Sequence, residues 1–303
     1  MSGGRIGLFS SLTSGGSREL LRSVLGAMAG GALGGAEAAF LMVDRGPDEA
    51  AATDASVAAL AAAFPDLPIL RESAAGFEAA RRKAARATGD QDALEAWRDA
   101  FYARVVSRLP EADLDLLLGD MWIWGPAQCA ARRGVNLHPS LPSGPLGKMW
   151  FDVVWDLIAQ EAPESGVMLH RVTTAVDEGP VVAWCRYGLR GPELDPLWAL
   201  LPADPAERAA LIAGERAQRR ESNHPLFRAL RAAGYARELP LILETVRAVG
   251  EGRLRLTADG VEDDAGRALP GGLELSAAVE ERVEAGRGGR QPSGPPQHRQ
   301  PYS

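Results

Sequence analysis

The chain has 303 residues, 46% of them hydrophobic and 24% charged, with a formal net charge of −7. Such a chain can bury a substantial core in one large domain or two small ones. Its negative balance argues against a protein that coats nucleic acid or an anionic membrane. Two cysteines, Cys129 and Cys185, cannot make a disulfide framework, so a reducing cytoplasm is the expected compartment. The start lacks a basic region followed by an apolar one, and the Ala/Gly-rich run 25–36 is too short to span a bilayer.

Ile6 to Phe9 reads as a short strand that runs into Ser14-Gly15-Gly16-Ser17, and Arg18 to Met28 has the spacing of a helix face. A strand, a glycine-serine turn and a helix can cradle a phosphate, or can simply be a tight turn. Ala38–Val43 and Leu67–Leu70 are further strands, with an alanine-rich helix over Asp48–Phe64 between them. Helices follow over Phe77–Ala87 and Asp92–Leu109. Asp113–Leu118 is the next strand, with an exit loop from Gly119 to Pro126 and a short helix holding Cys129. Val135–Leu137 is a buried strand, Pro142 to Lys148 a loop, and Trp150–Gln160 an amphipathic helix. Gly166–Thr173 and Val181–Leu189 flank a turn and read as antiparallel strands. The expected fold is therefore α/β, a mostly parallel sheet with helices on both faces and an antiparallel edge.

Beyond Arg190 the segments Pro205–Arg220, Pro225–Ala233 and Leu239–Val249 are helical, and Arg253–Leu256 is a last short strand. We expect a catalytic core over 1–190, a helical extension and closing strand over 191–256, and a C-terminal extension over 257–303. Gly, Pro, Gln and Arg dominate from about residue 284, a composition of disorder.

Four histidines are present. His298 lies in the low-complexity tail, and His224 precedes Pro225 at a helix start, where a capping or surface role is expected. His170 sits in mid-strand, equally suited to a core hydrogen bond or to chemistry. His138 follows Asn136 by two residues, so both side chains leave an extended segment on one face. Two such donors converging on a small volume can stabilise a developing oxyanion. Asp177, in a turn between two later strands, is a candidate partner that would keep the imidazole charged and move protons. No His/Cys pairing has metal-ligand spacing, and no Gly-x-Ser-x-Gly elbow exists.

The run Asn136-Leu137-His138-Pro139-Ser140-Leu141-Pro142, then Gly166 to Thr173, then Asp177-Glu178-Gly179-Pro180, resembles the folate-dependent formyltransferase family over roughly residues 5 to 256. The similarity is greatest to the branch that formylates glycinamide ribonucleotide. It implies a Rossmann-like fold and a catalytic triad of Asn136, His138 and Asp177. It also implies acceptor or phosphate contacts from Ser14, Gly15, Gly16, Ser17, Arg18, His170 and Thr173, and folate contacts from Met121, Trp122, Ile123 and Val176. The implied co-substrate is 10-formyltetrahydrofolate, without a metal. Partners would be small molecules, not nucleic acid or membrane, with a homodimer possible. The implied activity is formyl transfer to the amine of glycinamide ribonucleotide in purine (IMP) biosynthesis. Another formyl-handling enzyme (a sugar-nucleotide or methionyl-tRNA formyltransferase, or a formyl-folate hydrolase) or a silent binding homologue stays open. This sequence departs from the family in four places: the loop after His138 lacks a leucine, Trp122 stands where an arginine is common, the first glycine turn lacks the family's asparagines and carries Arg18, and 191–237 has no counterpart in compact bacterial enzymes.

Overall fold

The computed structural model describes residues 4–120, 122–257 and 260–287. The chain opens with β1 (Arg5–Ser10), α1 (Gly15–Ala29), β2 (Glu37–Val43), α2 (Ala51–Ala63) and β3 (Ile69–Arg71). It continues with α3 (Ala79–Thr88), α4 (Gln91–Val105), β4 (Leu114–Leu117), α5 (Pro126–Ala131), β5 (Gly134–His138) and α6 (Trp150–Ala159). Strands β6 (Glu164–Arg171) and β7 (Val181–Gly188) follow, then helices α7 (Asp195–Trp198), α8 (Pro205–Ala217) and α9 (Pro225–Gly250). The last elements are β8 (Leu254–Leu256), β9 (Val261–Asp263), β10 (Leu273–Glu274) and α10 (Ser276–Arg287).

Eight strands form one sheet in the order β10-β7-β6-β5-β4-β1-β2-β3, and β8 and β9 form a separate antiparallel pair. All neighbours in the large sheet are parallel except β5–β6 and β6–β7, so β6 alone runs against the rest. Alternation along the strands divides the interior in two. Ile6, Leu8, Leu41, Val43, Leu116, Val135, Val167 and Leu169 face a large aliphatic layer built with α1, α6, α9 and α10. Phe9, Phe40, Met42 and Leu117 face the other way, onto an aromatic layer with Phe101, Tyr102 and Trp124. Helices thus cover both faces, as expected for parallel strands that are apolar throughout.

Two segments differ from the expected elements. The helices expected at 225–233 and 239–249 are one, α9, with Pro240 inside it. Proline removes a donor from the Ala236 carbonyl and costs about 3 kcal/mol in a helix interior. Burial on both sides offsets this: Leu226, Phe227, Leu241 and Val246 are fully inaccessible. The Arg231–Glu238 ion pair, 2.5 Å, bridges the two turns before the proline. The second difference is past residue 257, where β10 extends the main sheet beside β7 and α10 packs on α9 through Val279 and Val283. Glu284 to Arg287 belong to that helix, and the rest of the tail lies outside the described residues. Among the described residues no helix is long and apolar enough to cross a membrane.

Candidate active site

Asn136 and His138 leave β5 on the aromatic-layer face, because their neighbours Val135 and Leu137 face the aliphatic layer. Pairing with β6 sets Asn136 opposite His170 and His138 opposite Met168, so both imidazoles share that face. After Arg171 the chain does not turn away from the sheet. Residues 172–180 fold back across it, and the Arg171 amide donates to the Pro180 carbonyl at 2.8 Å. Gly179 lies so close to Arg171 that a Cβ would run into the Arg171 carbonyl, which is why glycine stands there. Asp177, at the tip, adopts a left-handed conformation (φ 60°), one that Asp tolerates better than most residues.

The tip carries the Asp177 carboxylate between the two imidazoles. Its Oδ2 is 3.2 Å from His138 Nδ1 and its Oδ1 is 3.3 Å from His170 Nε2, the latter out of line for a hydrogen bond. The far ring nitrogens also face acceptors. His138 Nε2 lies 2.7 Å from the Pro145 carbonyl and His170 Nδ1 lies 3.0 Å from the Arg171 carbonyl. His138 thus has an acceptor facing each of its ring nitrogens. Burial pushes the Asp177 carboxyl up, but the His138 and His170 imidazoles beside it outweigh that and hold the group well below the usual carboxylate range. The cluster sets two imidazoles around one carboxylate. His170, open between core and chemistry in the sequence, belongs to it.

A cavity of about 560 Å³ opens over this cluster and is lined by Asn136, His138, His170, Thr173 and Asp177. Trp122, Ile123 and Val176 line it as well, the last two half-exposed at its rim. Met121 lies outside the described residues. The cavity brings in groups that the sequence reading passed over. Trp97, Arg82, Arg86 and Arg98 come from α3 and α4, Asp120 from the end of β4, and Lys148 from the loop after β5. The Arg82 guanidinium stacks over both Trp97 and Trp122, 5.5 and 5.2 Å from the ring centroids. Their positions on amphipathic helices gave no local signal, because a solvated arginine face and a cavity wall look alike in sequence.

Ser14, Gly15, Gly16, Ser17 and Arg18 are not among the residues that line this cavity. They start α1 earlier than the sequence reading placed it, because Ser14 and Ser17 form a reciprocal capping box. Arg18 turns back to the Leu12 carbonyl at 3.0 Å. His224 precedes α9 but makes no side-chain cap; its ring packs edge-on against Trp155, 6.0 Å between centroids. The loop after His138 is tied to α8: Lys148 Nζ and Arg216 Nη2 of α8 share Asp156 of α6, at 2.6 and 2.5 Å. Among the described residues no group of three or more His, Cys, Asp or Glu is arranged to hold a metal ion.

A mostly parallel sheet with one reversed strand beside β5, and a polar cluster at the end of β5, is a divergent version of the Rossmann-like formyltransferase fold. The crystal structure of glycinamide ribonucleotide transformylase 1 from Symbiobacterium toebii matches over 86% of this chain and 94% of its own, with a TM-score of 0.54 and 20% identity. That of phosphoribosylglycinamide formyltransferase from Coxiella burnetii matches over 89% and 98%, with a TM-score of 0.55 and 19% identity. No protein-family model and no curated protein sequence matches the chain, so the similarity is one of fold.

Proposed function

We propose that the protein transfers a formyl group from 10-formyltetrahydrofolate to an amine, with glycinamide ribonucleotide, in purine (IMP) biosynthesis, as the first acceptor to test. The observation that carries this reading is the Asp177 carboxylate held between His138 and His170 beside Asn136, inside one cavity. Such a site can stabilise the negative charge that develops on a formyl oxygen under attack, with the Asn136 amide and His138 Nε2, once the Pro145 carbonyl moves off it, as the donors. Asp177 holds the His138 ring in the orientation and protonation state this requires.

The folate would supply the activated formyl group, and the cavity suits it: Trp97 and Trp122 offer flat apolar walls, and Arg82, Arg86 and Arg98 offer cations for carboxylates. The two free cysteines accord with a reducing compartment, and we place the enzyme in the cytoplasm. A second reading keeps the chemistry and changes the acceptor. It is favoured by the self-capped start of α1, which stands off the cavity where a phosphate turn was expected.

The test is folate release from 10-formyltetrahydrofolate with glycinamide ribonucleotide, an aminosugar nucleotide, charged tRNA or no acceptor. Release that depends on glycinamide ribonucleotide supports the first reading, and release with another amine alone supports the second. Release without acceptor indicates a hydrolase. Silence throughout overturns formyl transfer.

A further inference from the structure

Asp177 is a weak base in this structure, because two imidazoles hold its proton affinity down. An aliphatic amine at neutral pH is an ammonium ion and attacks a carbonyl carbon only after it loses a proton. If the formyl-transfer reading holds, a group other than Asp177 is needed to receive that ammonium. We propose that this group is Asp120: it binds the acceptor's ammonium and takes one proton from it, which makes the acceptor a primary amine that arrives charged.

The placement comes first. Asp120 follows β4, which lies between β1 and β5, and the sheet reverses its order of growth between β1 and β4. Ligands in open α/β sheets bind at that switch point, beyond the carboxyl ends of the strands. Asp120 lines the same cavity as Asn136, His138 and Asp177. Gly119, just before it, is held to β1 by a bond from the Ser11 amide to its carbonyl at 3.2 Å. The loop is therefore anchored where it enters the cavity.

The charge around Asp120 comes second. Among the described residues it forms no ion pair; Trp124 Nε1 donates to its Oδ2 at 3.3 Å. The charged groups on its other side belong to the end of β2. Asp44 is 7% exposed and its Oδ1 has no hydrogen-bond partner, with Arg45 and Glu49 beyond it. Burial, then the charge of Asp44, push Asp120 well up from the ordinary carboxylate range, while Trp124 and the Trp122 backbone partly oppose them. A half-buried acid beside a buried one with an unsatisfied oxygen, neither in an ion pair among the described residues, makes a recess whose ionised form a bound cation would favour. An ammonium group is such a cation.

The step balances. One proton passes from the ammonium to the Asp120 carboxylate, and the freed nitrogen forms a bond to the formyl carbon while His138 and Asn136 hold the oxygen. The bond from that carbon to the folate nitrogen then breaks. The second proton on the attacking nitrogen goes to the folate nitrogen, leaving a formamide and tetrahydrofolate.

The experiment uses the full chain, 10-formyltetrahydrofolate, and two kinds of nucleophile: primary amines (glycinamide ribonucleotide, glycinamide, an aminosugar nucleotide) and hydroxylamine, which is neutral at neutral pH. Wild type, Asp120→Asn, Asp120→Glu and His138→Ala are compared. For the amine that wild type uses, Asp120→Asn should lower kcat/KM on the order of 100-fold or more, as loss of a general base does, and Asp120→Glu should recover part of it. Transfer to hydroxylamine should fall less than about threefold in Asp120→Asn and be lost in His138→Ala. An equal loss on both nucleophiles, or no loss on either, overturns the role of Asp120 while formyl transfer stands. Wild type that transfers to no nucleophile overturns both.

Discussion

The Pro145 carbonyl oxygen stands 2.7 Å from Nε2 of His138, the atom from which an incoming formyl oxygen would take its hydrogen bond. The loop after β5 thus engages this nitrogen, and on the proposed function a formyl oxygen would have to take the place of the Pro145 carbonyl. Lys148, at the loop's end, is tied to buried Asp156, with Arg216 on the carboxylate's other oxygen. The Lys148 side chain is 47% exposed, so the tie is worth about 0.5 kcal/mol. Lys148→Ala should speed amide exchange across 142–148 two- to threefold, by roughly that free energy, and leave α6 unchanged. Exchange that stays the same would place the loop's restraint elsewhere.

His138→Ala and Asp177→Asn should each lower turnover about 10²–10³-fold, the usual cost of losing a preorganised oxyanion donor. Circular dichroism of both variants should match wild type. Full activity in either one rules out the proposed roles of the cluster.

Gly179 offers a control on position rather than chemistry. Gly179→Ala pushes a methyl group into the Arg171 carbonyl, so the 172–180 fold-back must lift. The expected cost is about 1–3 kcal/mol of stability. Because Asp177 rides on the same turn, kcat should fall together with Tm. A drop in Tm with unchanged kcat would mean that Asp177 is not carried by this contact.

Asp44 bears on stability and pH. Burial pushes its carboxyl up to about 6, against a hydrogen bond from Ser11 and the charge of Arg45. The folded state therefore holds a proton that the unfolded chain releases near pH 4. Stability contributed by this group is full below that pH and falls as pH rises through about 6. Asp44→Asn should raise Tm at pH 7.5, worth roughly 2–3 kcal/mol, and flatten the Tm profile between about pH 4 and 6. A lower Tm for Asp44→Asn at pH 7.5 counts against a carboxylate buried at a cost.

What was legible in the sequence follows from how local each signal is. Asn136 and His138 are two residues apart on a strand, and a period of two fixes their common face without further structure. The α/β alternation and the reversed pairing of β6 were readable from short apolar runs and their turns. Asp177 could be nominated from sequence, but its approach depends on a fold-back made possible by Gly179. His170 could not be placed because a core histidine and a site histidine have the same local pattern; only its register opposite Asn136 decides. Ser14 to Ser17 stayed open between two readings for a related reason. A glycine-serine turn that binds an anion and one that caps its own helix differ in where the hydroxyls point. Asp120 and the arginines of α3 and α4 had no pattern of their own, and Pro240 argued for a break that the buried sides of α9 overrule.

The pairing of Asn136 with His170 and of His138 with Met168 has a consequence for how this scaffold can change over time. Slipping β5 against β6 by one residue would turn every one of these side chains into the aliphatic layer, so neither strand tolerates a lost or gained residue. The segments between and after them carry no such constraint. Apart from the Pro145 carbonyl and the Lys148–Asp156–Arg216 contacts, the stretch from Pro139 to Met149 and the helices from Asp195 to Ala217 can lengthen, shorten or exchange sequence without shifting that register. On the proposed function, acceptor preference is free to drift there, while Asn136, His138 and His170 stay in frame.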